Sequence, residues 1–259
     1  MDNPTPFKWR HFEAEIILLC VKTLDTENAA RAIAPGLAAG ASVVDLQNGV
    51  DNVDRIRAAT GLEAIPAVVY VACEMTAPDT VKHNGRGELV IGDPWGRPEI
   101  AGKLESLAAM FERATVSCGI STTIRVELWN KMVLNCVYNA LSALCQAKYG
   151  RLVSNPLTRE LMRLIVEEAV AVASGLGVTL STSGLYDVAL KAGESLKEAT
   201  SSMAQDIARG RLTEIDSLNG YVVRKGAELG TSTPINKVLH AAVKVLEESA
   251  SLARSGGVR

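Results

Sequence analysis

Lys131, Asn135 and Asn139 stand four residues apart in ELWNKMVLNCVYNALSAL (residues 127–144), a stretch whose other positions are nearly all apolar or small. At about 100° per residue, steps of four drift by only about 40°, so one helix face carries an ammonium followed by two carboxamides. Asn is a poor helix former, usually placed by what its amide must reach. A lysine drawn out of water gives up its proton more readily than an exposed one. That would make Lys131 a general acid, with Asn135 and Asn139 holding polar groups of the molecule it protonates. A narrow wet face explains the same pattern, and the residues alone leave the two readings level.

Four further residues invite a role. Lys22 and Asn48 close two apolar runs, and in an open parallel sheet ligands bind beyond the carboxyl ends of strands. As ordinary connectors they need no function, since Asn-Gly is a routine turn pair. Ser202 and Glu214 lie in SSMAQDIARGRLTEIDSLNG (201–220). Ser202 to Gln205 fits a capping box, and Thr213 to Asp216 fits a second, which would put Glu214 in a first helical turn; capping is the favoured reading of both.

The elements that must position these residues fall into two halves. EIILLCV (15–21), ASVVDLQ (41–47) and AIPAVVYVACEM are short apolar runs of buried-strand type, alternating with helical segments from Thr26 and from Val50 to Gly61. That alternation predicts a parallel sheet with crossover helices. TVKHNGRGELVIGD reads as two short strands around a turn, GRPEIAGKLESLAAMFERA as an amphipathic helix and TVSCGI as a last strand. From about residue 122 only helices follow, broken at 154–156, 175–184, 210 and 231–234. The boundary is expected near residue 120, dividing 1–120 from 121–259, and the polar end (251–259) is expected to fray.

Composition narrows the function classes. Hydrophobic residues make up 47% and aromatics only 4%, which predicts an aliphatic, Ala-rich core of helices and parallel strands. Lys plus Arg number 27 against 29 Asp plus Glu, so no basic field exists to hold nucleic acid. Five cysteines without a C-x-x-C read as small buried hydrophobes in a reducing compartment. Three scattered histidines give no support for a metal site. The longest apolar stretches are about half the ~18 residues a membrane helix needs, so a cytoplasmic protein is expected.

Taken together, AEIILLCVKTLDT, DLQNGVDN, IRVELWNKMVLNCVYNALSAL and SSMAQDIARGRLTEIDSLNGYVVRKGAELGTSTP resemble the ketopantoate reductase (2-dehydropantoate 2-reductase) family, in order from about residue 13 to 248. The resemblance implies an N-terminal Rossmann-type domain that binds NADPH and a helical, 6-phosphogluconate-dehydrogenase-like C-terminal domain that dimerises in some members, with the substrate in the cleft between. It implies reduction of a small 2-keto acid, ketopantoate to pantoate, on the route to pantothenate and coenzyme A. Lys131 matches the proton donor. Asn48, Asn135, Asn139 and Ser202 match substrate-binding positions; Lys22 and Asn48 match cofactor positions, and Glu214 matches an acid that contacts ligand there. A homodimer is the implied assembly.

One departure from the family pattern stands out. These 259 residues contain no GxGxxG: the nearest match, Gly85-Arg86-Gly87, has Val90 where the third glycine would stand. The family's first βαβ unit is therefore expected to be absent, leaving EIILLCV as an apolar sheet edge, which the opening residues or a partner would have to cover. The alternatives are a non-catalytic, dimerising remnant, or a fragment that needs that unit. Tyr149 also stands where pantoate-making members can carry a polar substrate contact.

Overall fold

The computed structural model describes residues 13–77 and 79–255; the opening residues expected to cover the sheet edge, and His11, lie outside them. The chain divides into two compact units between Leu128 and Trp129, a little beyond the boundary read from strand content.

The first unit is a five-stranded sheet in the order β1-β2-β3-β4-β5. Its elements are β1 (Ala14–Leu19), α1 (Thr26–Ile33), β2 (Leu37–Asp45), α2 (Asn52–Thr60), β3 (Ala64–Ala77), β4 (Thr80–Ile91), α3 (Ala101–Arg113) and β5 (Cys118–Ile120). β1, β2 and β3 are parallel, and β5 is parallel to β4. β3 and β4, however, form an antiparallel hairpin, so the sheet is mixed rather than wholly parallel. The two short strands expected across TVKHNGRGELVIGD are one strand. Its glycines do not end it, because Gly85, Arg86 and Gly87 adopt positive φ within shifts of register that the antiparallel ladder absorbs.

Alternation along β2 builds two cores. Val43 packs with Leu19, Ala30, Ile33, Val53 and Ile56 beneath α1 and α2. Its neighbour Val44 points the other way and packs with Leu89, Ile91, Leu104, Leu107 and Phe111 against α3. Each such side chain contributes about 1.5–3 kcal/mol by leaving water. β1 is the edge of the described sheet, and Ile16 and Leu18 are 37% and 43% exposed rather than buried on both faces. Only Cys118 and Cys136 are buried; Cys20, Cys73 and Cys145 are exposed, so the expectation of five buried cysteines fails past the end of β1, in the outer part of the β3–β4 hairpin and at the end of α4.

The second unit is helical. α4 (Ile124–Cys145) begins in the first unit, where Ile124 and Leu128 pack with Val68. It is followed by α5 (Tyr149–Ser154), α6 (Pro156–Gly175), α7 (Thr182–Ser195), α8 (Ser202–Ala208), α9 (Asn219–Leu229) and α10 (Pro234–Ser255). α6 starts on a side-chain cap, Asn155 accepting from Leu157 N, with Pro156 at its first position. α10 continues through residues expected to fray.

Asp45, at the end of β2, is only 4% exposed. Burial pushes its carboxyl up to about 7 from an ordinary 3.8, against the Gln47 backbone N–H and the Asn52 side chain, which favour the anion. Between those values the folded chain keeps the proton that the unfolded chain has shed, so stability falls as pH rises from about 4 to about 7 and then levels. The fall attributable to Asp45 is roughly 4 kcal/mol. Asp45→Asn should flatten this slope, and urea unfolding of both proteins at pH 5 and pH 8 measures the difference.

Candidate active site

On α4, Lys131 and Asn135 are partly buried and Asn139 is only 4% exposed, while Met132, Val133, Cys136, Val137 and Ala140 are almost fully enclosed. The polar face is therefore narrow, and it sinks deeper into the helical unit toward Asn139. An open wet face would run the other way, leaving the short amide at least as exposed as the long ammonium.

Ser202 lies beside this stripe, but not as a cap. Ser201 is the N-cap of α8: its Oγ accepts from Ala204 N at 3.0 Å and donates to the Asn139 carbonyl at 3.3 Å, and its own N–H donates to Ser142 Oγ at 3.2 Å. Anchored twice on α4, Ser201 is buried and Ser202 becomes the first, exposed helical residue. The capping box read from Ser202 to Gln205 is thus not formed: the cap falls one residue earlier, on Ser201, with Ala204 opposite it, and the Ser202 hydroxyl has no capping duty.

The second capping box also gives way. Glu247 of α10 takes Thr213 from two directions, Oε1 accepting from Thr213 N at 2.7 Å and from Thr213 Oγ1 at 2.6 Å. Asp216 turns to α10 as well, accepting from His240 Nε2 at 2.6 Å and Lys244 Nζ at 2.9 Å, and Lys244 closes the ring with Glu247 Oε2 at 2.9 Å. Burial alone would raise the Asp216 carboxyl; the bonds from His240 and Lys244 outweigh it and bring it below the usual value. Those same carboxylates hold the Lys244 ammonium above its usual value. Glu214, 6% exposed, sits between the two clamped residues and caps no helix with its side chain.

Asn219 joins this segment to α4. Its Nδ2 donates to the Cys136 carbonyl at 3.1 Å and to Asn236 Oδ1 at 2.9 Å, and Asn236 donates in turn to Glu168 at 2.7 Å. At Gly220 a Cβ would lie 2.9 Å from His240 Nε2 and 3.1 Å from the Ile215 carbonyl, an approach only glycine permits. The structure thereby brings the α4 stripe, the start of α8 and the Glu214 turn into one neighbourhood. Tyr149 instead stacks on Tyr138 with ring centroids 4.1 Å apart, and burial pushes its phenol up to about 12.

Lys22 and Asn48 belong to the sheet unit, Lys22 three residues past the end of β1 and Asn48 three past the end of β2. Gln47 stitches the two turns together, donating to the Val21 carbonyl at 2.7 Å and to Thr26 Oγ1 at 3.0 Å. Both residues are therefore held at one edge of the sheet, with Gly49 at φ 105°, a left-handed conformation that favours glycine. An ammonium, a carboxamide and a side-chain-free turn there suit part of a dinucleotide, while these 259 residues hold no glycine-rich turn of the kind that cradles its pyrophosphate. Among the described residues no cluster of His, Cys, Asp or Glu could hold a metal ion, and no helix is long and apolar enough to cross a membrane.

Sequence reasoning passed over Glu247, Lys244 and Asn236, which approach the 213–219 segment only through the fold. Asn219 lay inside the quoted TEIDSLNG block, and its place as the first residue of α9 became evident only in the fold.

A Rossmann-like sheet unit followed by a helical unit whose long first helix carries a polar stripe defines the fold class of this chain. Within it, the family model described as ketopantoate reductase PanE/ApbA matches residues 3–95, and the one for that family's C-terminal region matches 123–247. The 2-dehydropantoate 2-reductase of Archaeoglobus fulgidus is 31% identical over 91% of this chain and 77% of its own. A crystal structure of a PanE/ApbA family ketopantoate reductase from Ralstonia eutropha is 44% identical, with a TM-score of 0.85 over 93% of this chain and 78% of its own. D-mandelate dehydrogenase, in complex with NADH and anilino(oxo)acetate, shares the fold at TM-score 0.88 and 22% identity, over 93% of this chain and 78% of its own. The chain belongs to the ketopantoate reductase family.

The clamp that Glu247 places on Thr213 can be tested directly. Glu247→Ala strands the buried Thr213 N–H and hydroxyl and should lower stability by about 3 kcal/mol in urea unfolding, whereas Glu247→Gln, which keeps an acceptor, should recover much of that loss.

Proposed function

We propose that this protein reduces a small 2-keto acid, ketopantoate to pantoate, with NADPH as reductant. The single observation that carries the reading is the α4 stripe, an ammonium and two carboxamides descending into the helical unit beside Ser202 and the turn that holds Glu214. When bound, NADPH supplies the hydride. Lys22 and Asn48 hold its polar groups from the stitched turns of the sheet unit, and Asn48 also faces substrate. Asn135, Asn139 and Ser202 bind and orient the keto acid's oxygens. Lys131 Nζ donates its proton to the 2-oxygen as negative charge develops there, a role for which a partly buried ammonium on a fixed helix is well suited. Glu214 contacts ligand from its fixed turn and acts with Lys131 in the reaction. Pantothenate and coenzyme A synthesis in the cytoplasm is the setting this reading carries, and a homodimer is its assembly.

Lys131→Ala should lower kcat by at least about a hundredfold, the usual scale for a lost general acid, while circular dichroism and unfolding midpoint stay near wild type. Loss of NADPH absorbance on adding ketopantoate is the assay. Wild-type turnover in the variant removes Lys131 from the mechanism. A wild-type chain inert toward every 2-keto acid tried favours the non-catalytic alternative.

A further inference from the structure

At the far end of α4 the helical unit holds a cavity of about 870 Å³ that the proposed chemistry does not use. It begins at Cys145, about 21 Å along the helix axis from Lys131. Four separate segments bring cations to it: Lys148 ahead of α5, Arg151 in α5, Arg159 in α6 and Lys197 just past α7. Among the lining residues only Glu194 and Glu198 oppose them, which leaves a surplus of two positive charges.

α4, α5 and α7 all end beside this cavity, and helix C-termini attract cations without any ligand. The carbonyls there, however, are already served by other groups. Gln146 Nε2 donates to the Ala143 carbonyl at 2.8 Å, Ser142 Oγ to that of Ala147 at 2.8 Å, Ser154 Oγ to that of Arg151 at 3.0 Å, and the Leu196 N–H to that of Ala192 at 2.9 Å. Of the four cations only Arg159 takes such a carbonyl, its Nε donating to Val153 at 2.5 Å, which occupies one of the five N–H groups a guanidinium carries.

Ion pairing leaves the same remainder. Lys148 holds Glu198 at 2.6 Å, and that bond, with Lys197 acting through space, keeps the Glu198 carboxyl below its usual value. Among the described residues the side chains of Arg151 and Lys197 make no hydrogen bond or ion pair. Their backbones are nonetheless fixed together. The Gly150 N–H donates to the Lys197 carbonyl at 3.1 Å, and a Cβ at Gly150 would lie 2.7 Å from the Lys197 Cβ, so α5 is pressed onto the segment that follows α7.

Guanidinium groups suit carboxylates and phosphates alike, but a surplus of two charges matches one dianionic phosphate rather than one carboxylate. The cavity is also far larger than a bare phosphate and lies in the range of small-molecule sites, with Ala147 and Val153 as apolar wall. A long polyanion such as nucleic acid is disfavoured by the formal net charge of -2. We propose that this cavity binds the phosphate group of a small phosphate monoester, with Arg151 and Lys197 as the principal contacts and Arg159 as a third donor. The site stands independently of the reading given to the α4 stripe.

Titration of the full chain with phenyl phosphate, followed by backbone amide resonances, is the test. The Gly150 amide should shift saturably with a dissociation constant of about 1 mM or tighter, and benzoate, which carries a single charge, should bind at least about fivefold more weakly. Arg151→Gln and Lys197→Gln, both at exposed positions, should each weaken phenyl phosphate about fivefold with the circular dichroism spectrum unchanged. Glu194→Gln removes an opposing charge and should tighten it about twofold. A Gly150 amide that shows no saturable shift in wild type overturns the proposal, whether or not phenyl phosphate binds elsewhere. Wild-type affinity in both cation variants overturns it as well, and equal affinity for the two probes overturns the choice of phosphate.

Discussion

The helical unit depends on a polar chain that runs from Glu168 of α6 through Asn236 and Asn219 to the Cys136 carbonyl of α4. Glu168 takes two backbone N–H groups at the start of α10, from Ile235 at 2.8 Å and Asn236 at 2.9 Å, where a helix leaves its first donors without intrahelical partners. A carboxylate from another helix thus caps α10, and the Asn236 side chain passes the constraint on to the start of α9. Because each link satisfies a group that would otherwise be buried unpaired, none can be displaced without cost to the next. α10 then delivers Lys244 and Glu247 to the 213–216 turn, so Glu214 is placed by a helix far from it in sequence.

The sheet unit solves a similar problem with a different network. Its two strand-end turns are joined by the Gln47 side chain and braced by Arg55, which ties the start of α2 to Glu27 in α1. Polar side chains are buried behind the surface, while Lys22 and Asn48 remain at it. In both units the side chains that would meet a ligand are short of freedom because others, less exposed, hold their backbones.

Periodicity made the repeating parts of this arrangement legible. The alternation of Val43 and Val44, the crossover helices and the four-residue spacing on α4 are all written as local pattern, and local pattern survives folding when each element buries a definite face. What misled the reading was chemistry with two valid local solutions. Ser201 and Ser202 are both good caps, and only the Asn139 carbonyl and the Ser142 hydroxyl, about sixty residues away, choose between them. Glycines in 85–87 look like a turn because a turn is their commonest use, whereas an antiparallel partner allows them to become irregularities inside one strand. Glu247 had no local signature at all. Its partner Thr213 lies outside its helix, and the sequence offers no period that links them.

The two buried carboxylates behind the site residues differ in what surrounds them. Glu247 receives an N–H, a hydroxyl and an ammonium, so its turn has one arrangement. Asp45 receives the Gln47 backbone N–H and the Asn52 side chain, faces a second carboxylate in Asp51, and adjoins an amide oxygen with no donor. The difference suits two kinds of task. A group that orients a reacting oxygen works best when its position costs nothing to set at the moment of reaction, which a saturated network provides. A turn that must take up a ligand and let it go is better served by a support with two nearly balanced states, since a ligand can shift an equilibrium only where a second state exists. On that argument the buried Asn52 oxygen, an acceptor with no donor, leaves the Asn48–Gly49 turn less tightly specified than the turn that Glu247 holds.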